Sequence, residues 1–332
     1  MLFKTIEEFK DHVSVNESMA IESLNPDIRR AEKEYLIPYI GQDQYDDLEQ
    51  LYQDGDMLEK HERLIEYCRD VVAMFTMHNY LPLQQLQMSD IGVHIHSTDS
   101  QKTAWQWQID DLDEKYFLRL GYTAIDCLME MMETYIEDYP LWAESDNYKA
   151  NKNLIINTTS DFNAHYFINK SYLTFQAFVP LMKKVEQFEI YNAIGKETFD
   201  RIKAEIAAHN VTEEITDLMQ WLKPAIAHFT VIRALKALPV TLRHDGVVLN
   251  SYTTTDENAR ERKAADAGLL NRATYEARSA HAFMLRLTNY LDANATEDLY
   301  PEYYAYKNPE VVDSASTDEE VVPTRKFFTF GM

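Results

Sequence analysis

The chain repeats itself at a long, fixed spacing. Ile40-Gly41 is followed by Tyr45-Asp46 and Leu48, and 154 residues later Ile194-Gly195 is followed by Phe199-Asp200 and Ile202. The same spacing sets Pro26 on Pro180, Glu32 on Glu186, Glu59 on Glu213, Leu64 on Leu218, Phe75 on Phe229 and Gly92 on Gly246. Solenoid units run to ~20–50 residues, so this period is the length of a domain rather than of a solenoid turn. The spacing slips by one residue at two places. It is 153 at the front, where Phe9 falls on Phe162 and His12 on His165, and 155 near the end, where Ala104 falls on Ala259 and Tyr135 on Tyr290. Single-residue slips of this kind belong in loops. The chain reads as two copies of one domain, and 332 residues suffice for two hydrophobic cores.

Only 8 glycines and 10 prolines occur, too few for a turn-rich strand protein, so helix is favoured. Pro26 and Pro180 are expected at the first position of a helix, closed at Gly41 and Gly195 by a left-handed cap. A second helix is expected near 43–53 and 196–209, and a third near 58–80 and 211–238, the latter with a kink at Pro224. The residues Val93-His94-Ile95-His96 alternate like a short strand, and Asp245-Gly246-Val247-Val248-Leu249 matches them. A long last helix is expected from Ser97 or Thr98 to about Asp138, and again over 253–293. The expected fold is therefore mainly all-α. It comprises two tandem helical-bundle domains over residues 1–145 and 154–305, each with a hairpin-like insertion and a long C-terminal helix. A connector spans Leu141 to Asn153, and a flexible C-terminal tail covers 306–332.

Charge divides the copies. Residues 1–150 carry 31 Asp and Glu against 12 Lys and Arg, residues 151–305 carry 19 against 17, and the tail carries 5 against 3. The two copies share a core pattern and not a surface. An acidic first copy argues against a nucleic-acid clamp, which wants a basic face. Cys68 and Cys127 stand apart in apolar contexts and read as buried free thiols. Neither a signal-peptide start nor a run of ~18 apolar residues occurs, so no membrane association is expected.

Enzyme signatures such as a phosphate loop, a nucleophile elbow or a zincin helix motif are absent from the sequence, so no residue is assigned as catalytic or cofactor-binding. His94 and His96 would share one face of a strand, with Asp90 or His78 as further ligands. The second copy has Val248 and Asn250 at the two histidine positions, so a metal site here would not belong to the shared fold. Asp110-Asp111-Leu112-Asp113-Glu114 reads as a solvated helix face. Glu130, Glu133 and Glu137 beside Met129, Met131 and Met132 read as an amphipathic helix whose soft apolar side is core or interface. Trp105 and Trp107 stand where the second copy has Arg260 and Arg262, and at least one is a candidate contact residue. Tyr300, Tyr303, Tyr304 and Tyr306 suit an interface or an ordinary surface cluster. The tail is polar and acidic over 312–320 and then ends in Arg325-Lys326-Phe327-Phe328-Thr329-Phe330. Aromatic anchors on a polar tether suit docking to a neighbour.

The arrangement Pro26…Ala31-Glu32…Tyr35-Leu36-Ile37-Pro38-Tyr39-Ile40-Gly41…Tyr45-Asp46-Asp47-Leu48 resembles proteins of Bacteroidetes phages and prophages. More loosely, it is similar to the small helical head–tail connector (adaptor) subunits of tailed phages. The chain departs from those connectors in being duplicated. The resemblance implies a structural virion protein of the neck, assembled in the host cytoplasm as a homo-oligomeric ring. It would contact portal and tail proteins, with DNA passing nearby unbound. Arg325, Lys326, Phe327, Phe328, Phe330, Trp105 and Trp107 are then the expected partner contacts, with no cofactor and no metal. The alternative is a cytoplasmic helical enzyme or a metal- or ligand-binding bundle built on His94, His96 and Asp90.

Overall fold

The computed structural model describes residues 1–14, 19–81, 86–89, 92–95, 105, 108–109, 112–208, 210–237, 240–243, 246–249 and 266–309. The first copy opens with α1 (Ile6–Lys10), capped by a reciprocal Thr5/Glu8 box. It continues through α2 (Ile21–Ala31), a π turn (Glu32–Leu36), α3 (Ile37–Ile40), α4 (Gln42–Asp54) and α5 (Glu59–Tyr80). A hairpin follows, β1 (Leu86–Ser89) with β2 (Gly92–Ile95), and then a second π turn (Asp113–Leu118) leading into α6 (Arg119–Thr134). The short helices α7 (Pro140–Ala143) and α8 (Asp146–Lys152) close the copy. The second copy runs through the same steps: α9 (Thr159–His165), α10 (Tyr172–Val185), a π turn (Glu186–Ile190), α11 (Tyr191–Ile194), α12 (Lys196–Ala207) and α13 (Glu213–Ala237). Its hairpin is β3 (Val240–Arg243) with β4 (Gly246–Leu249), followed by α14 (Asp266–Asn294) and α15 (Pro301–Lys307).

The repeat holds at the level of single residues. Leu86 pairs with Ile95 and Ser89 with Gly92, while Val240 pairs with Leu249 and Arg243 with Gly246. Every partner is shifted by the sequence spacing. The π turns at Glu32–Leu36 and Glu186–Ile190 also coincide, each opening on a buried glutamate. Gly41 has φ +84° and ψ +153°, and Gly195 has φ +82° and ψ +160°. This is extended backbone at positive φ, a region that only glycine occupies without strain. It replaces the expected left-handed cap because the next helix starts at the following residue, and one glycine must end the first helix and open the second.

The chain divides into two compact units, Met1–Lys183 with Arg233–Thr254, and Lys184–Ile232 with Thr255–Met332. In the first unit, α2, α5 and α6 bury Leu24, Ile28, Leu64, Val72, Phe75, Leu128 and Met132. Phe75 stacks on Tyr35 at 3.9 Å between ring centroids. The Phe75 ring also lies against Gly121, where a Cβ would come within 2.8 Å of it. Glycine there lets α6 approach α5 closely. In the second unit, Ile194, Ile202, Leu218, Leu222, Leu287 and Leu291 are buried. Arg201 of α12 ties that unit together through Glu205 at 3.0 Å, Glu214 at 2.7 Å and Glu302 at 3.3 Å.

A repeated clamp falls outside the simple spacing. The Tyr139 hydroxyl donates to the Lys60 carbonyl at 3.1 Å, and the Tyr300 hydroxyl donates to the Glu214 carbonyl at 3.0 Å. Lys60 and Glu214 are 154 residues apart, whereas Tyr139 and Tyr300 are 161 apart. Each tyrosine is buried and precedes the proline that starts a short helix.

Several expectations are corrected. Pro26 and Pro180 lie inside α2 and α10 rather than at their starts. The apolar face continues N-terminal to each proline, with Leu24 buried in one helix and Tyr172, Phe175 and Phe178 in the other. Burying these side chains outweighs one missing backbone hydrogen bond. The connector 141–153 forms α7 and α8, with Trp142 1 % exposed. Cys127 is exposed on α6 while Cys68 is buried. Tyr300 and Tyr303 are core residues, and Tyr303 donates to Asp292 at 2.6 Å. Asp113 does not point into solvent but meets Nδ1 of His78 at 2.6 Å. The expected starts of the two long last helices, at 97–104 and 253–265, lie outside the described residues, as does the tail from 310.

Candidate interaction surface

The duplication separates residues that both copies hold in common from residues peculiar to one copy. Glu32 and Glu186 are 4 % and 3 % exposed. Glu32 accepts from the Leu2 backbone N–H at 2.7 Å and from the Tyr45 hydroxyl, and burial pushes its carboxyl up. Glu186 accepts from Lys203 at 2.5 Å. Lys203 stands at the position of Glu49, which pairs in the first copy with the Met1 ammonium. The frame therefore keeps a buried carboxylate at the first π turn of each copy, Glu32 or Glu186, and balances it by different cations. These are structural roles, satisfied from within.

Two further carboxylates on α6 serve the copy that follows. Glu133 accepts from the Thr159 N–H at 3.2 Å and from its hydroxyl at 3.2 Å, at the start of α9. Asp126 accepts from the Tyr172 N–H at 2.7 Å, at the start of α10. Burial raises Glu133 to about 7 against those hydrogen bonds, and raises Asp126 to about 6. Lys170 reaches Glu130 on the same face at 2.5 Å. The first copy thus supplies side-chain caps to the opening helices of the second. Sequence reading placed Glu133 on an amphipathic helix and missed this role. The signal lay in a carboxylate embedded among Met129, Met131 and Met132, all of which are buried.

The surface of the first unit carries a groove of about 620 Å³ along α4 and α5. Tyr52, Met57 and Ile65 give it an apolar floor, and Glu59, Glu62 and Glu66 stand along its rim. The three glutamates recur at helical spacing, so they share one face of α5. They are exposed, and Leu58, 59 % exposed, adds an apolar edge. Two arginines also line the groove but are engaged. Arg69 donates to Glu8 at 2.9 Å and to the Leu2 carbonyl at 2.9 Å, and Arg63 lies 3.6 Å from Asp138 and over the Tyr135 ring. Among the described residues no cation pairs with Glu59 or Glu62, and Glu66 lies 4.0 Å from His12. The groove is apolar at its base and negative at its lip.

The sequence-derived contact residues are divided by the structure. Trp105 is 72 % exposed. Trp107, Arg325, Lys326, Phe327, Phe328 and Phe330 lie outside the described residues, as do Asp90 and His96 and the side chain of His94. His78, offered as a further metal ligand, is committed to Asp113 through Nδ1. Among the described residues no three metal-ligating side chains converge, and no helix is long and apolar enough to cross a membrane. Other large apolar side chains stand in water, including Phe167 at 76 % and Phe188 at 58 % exposure, with Tyr275 and Leu285 on α14.

A family model described as a family of unknown function, DUF6712, matches residues 36–152 and again residues 190–314. The two matches begin 154 residues apart, at the spacing of the internal repeat. No curated protein and no solved structure matches the chain. The chain belongs to the DUF6712 family and carries its helical domain twice.

Proposed function

We propose that this DUF6712 protein is a non-catalytic structural subunit that works by protein–protein contact, of the kind found as head–tail connectors in virion necks. In this reading it is made in the host cytoplasm and assembles into a homo-oligomeric ring. Portal and tail proteins are its neighbours, and DNA passes without specific binding. One observation carries the reading: the two copies hold the same buried frame under surfaces of very different net charge. Gly41 and Gly195, the two π turns and the paired hairpins coincide, while residues 1–150 carry 19 more acidic than basic side chains and residues 151–305 only 2 more. Selection that keeps a frame and frees two surfaces suits a subunit meeting different neighbours on different faces. Exposed Trp105 is one such contact residue, since large aromatic side chains concentrate binding energy at interfaces. Trp107 and the Arg325–Phe330 segment are the others.

Sedimentation velocity over a hundredfold concentration range, with negative-stain imaging of the heaviest species, tests this. Closed rings support the reading. A monomer at every concentration overturns it.

A further inference from the structure

We propose that the α4–α5 groove of one molecule receives the Arg325–Phe330 segment of a second copy of the chain. The inference rests on the self-assembly proposed above and names the contact that makes it. The groove has an apolar floor, Tyr52, Met57 and Ile65, under a rim of Glu59, Glu62 and Glu66. Its two arginines are already held by Glu8 and Asp138, so the rim asks for cations from outside. The segment supplies the complement in order: Arg325 and Lys326, then Phe327, Phe328 and Phe330. In an extended chain Lys326, Phe328 and Phe330 project to one side and Arg325 and Phe327 to the other, so the two rings can meet the floor while Arg325 reaches the rim. The residues between, including Asp313, Asp318, Glu319 and Glu320, are acidic and repelled by the rim, so only the basic, aromatic tip fits.

Reach and number agree. Fifteen residues, 310–324, separate the last described residue, Pro309, from Arg325. At full extension they span at most ~50 Å, enough to reach a second molecule. The second copy does not repeat the acidic rim, because Glu213, Thr216 and Gln220 stand where the first has Glu59, Glu62 and Glu66. Among the described residues each chain thus carries this acidic rim once, beside one tail. That is a heterologous, head-to-tail contact, the kind that closes into a ring when its rotation allows.

Two variants of the full-length chain test this. The groove variant carries E59K, E62K and E66K, all at exposed positions. The tail variant carries F327A, F328A and F330A. Circular dichroism establishes that both fold. In sedimentation velocity at low salt each variant alone is expected to self-associate at least about tenfold more weakly than wild type, since charge reversal and loss of aromatic anchors each remove the main contact energy. Mixed one to one, they are expected to form a heterodimer and nothing larger, because only one intact groove and one intact tail remain. Variants that associate like wild type overturn the contact while leaving self-assembly standing. Loss of association without rescue on mixing also overturns it, because the groove and the tail then do not contact one another. A wild type that never associates removes both the contact and the reading beneath it.

Discussion

Replacing Glu133 with glutamine isolates the inter-copy cap. Glutamine keeps a carbonyl oxygen for the Thr159 N–H and hydroxyl, now held at 3.2 Å each, and cannot ionise. Burial raises the carboxyl from 4.5 to about 7. A carboxyl raised on folding binds its proton more tightly in the native state, so the native chain holds more protons than the unfolded one between pH 4.5 and about 7. Stability contributed by this group is therefore greatest below pH 4.5 and is lost as the pH rises through about 7. The full loss is about 3 kcal/mol at ~1.4 kcal/mol per pH unit. Urea unfolding followed by fluorescence, with Trp142 reporting on the first unit, gives the assay. E133Q is expected to unfold like wild type at pH 4 and to be more stable by about 2–3 kcal/mol at pH 8. Asp126 is unchanged in both proteins, so its own titration cancels from the difference. A wild type and variant whose difference stays constant from pH 4 to 8 would refute the argument, because it would mean that Glu133 ionises as freely in the folded chain as in the unfolded one.

Three further outcomes are expected. G41A costs about 1–3 kcal/mol for backbone strain alone, since its nearest new neighbour is the Ser145 Cβ at 3.5 Å. G195A costs more, because its Cβ would lie 2.7 Å from the Tyr306 ring; thermal unfolding that ranks the two equally contradicts this. Y139F and Y300F should each lose about 1 kcal/mol, the value of one hydroxyl hydrogen bond, and a negligible loss in either would dissolve the repeated clamp. A thiol reagent should modify one cysteine per native chain, Cys127, and a second, Cys68, only after denaturation, read by mass spectrometry. Two rapid modifications in the native state would contradict the burial of Cys68.

Much of the frame was legible because it rests on local rules. The helices at 42–54 and 59–80 fall within a residue of their expected limits, since Gly41, Gly55 and the apolar stripe of α5 mark their ends. The hairpins followed from alternation and the paired glycines. The helix starts at Pro26 and Pro180 were misplaced because a proline reads locally as a start, while the buried side chains before it act through tertiary packing. The Tyr139 and Tyr300 clamp escaped because the intervening loops differ by several residues and break the spacing. The pattern Tyr-Pro at 139–140 and 300–301 was its only sequence signal. The α6 caps could not be read at all, because Glu133 and Thr159, or Asp126 and Tyr172, meet only when two helices of different copies are packed. The acidic excess of the first copy was visible as composition, but the rim at Glu59, Glu62 and Glu66 and its apolar floor required the pairing of α4 with α5.

The most direct test of the account is the mass of the wild-type chain in solution. Sedimentation velocity from low to high micromolar concentration is predicted to show a species several times the monomer mass that grows with concentration and weakens as salt screens the rim. A single monomeric species throughout, unchanged by salt, would contradict the claim that this duplicated frame exists to be assembled.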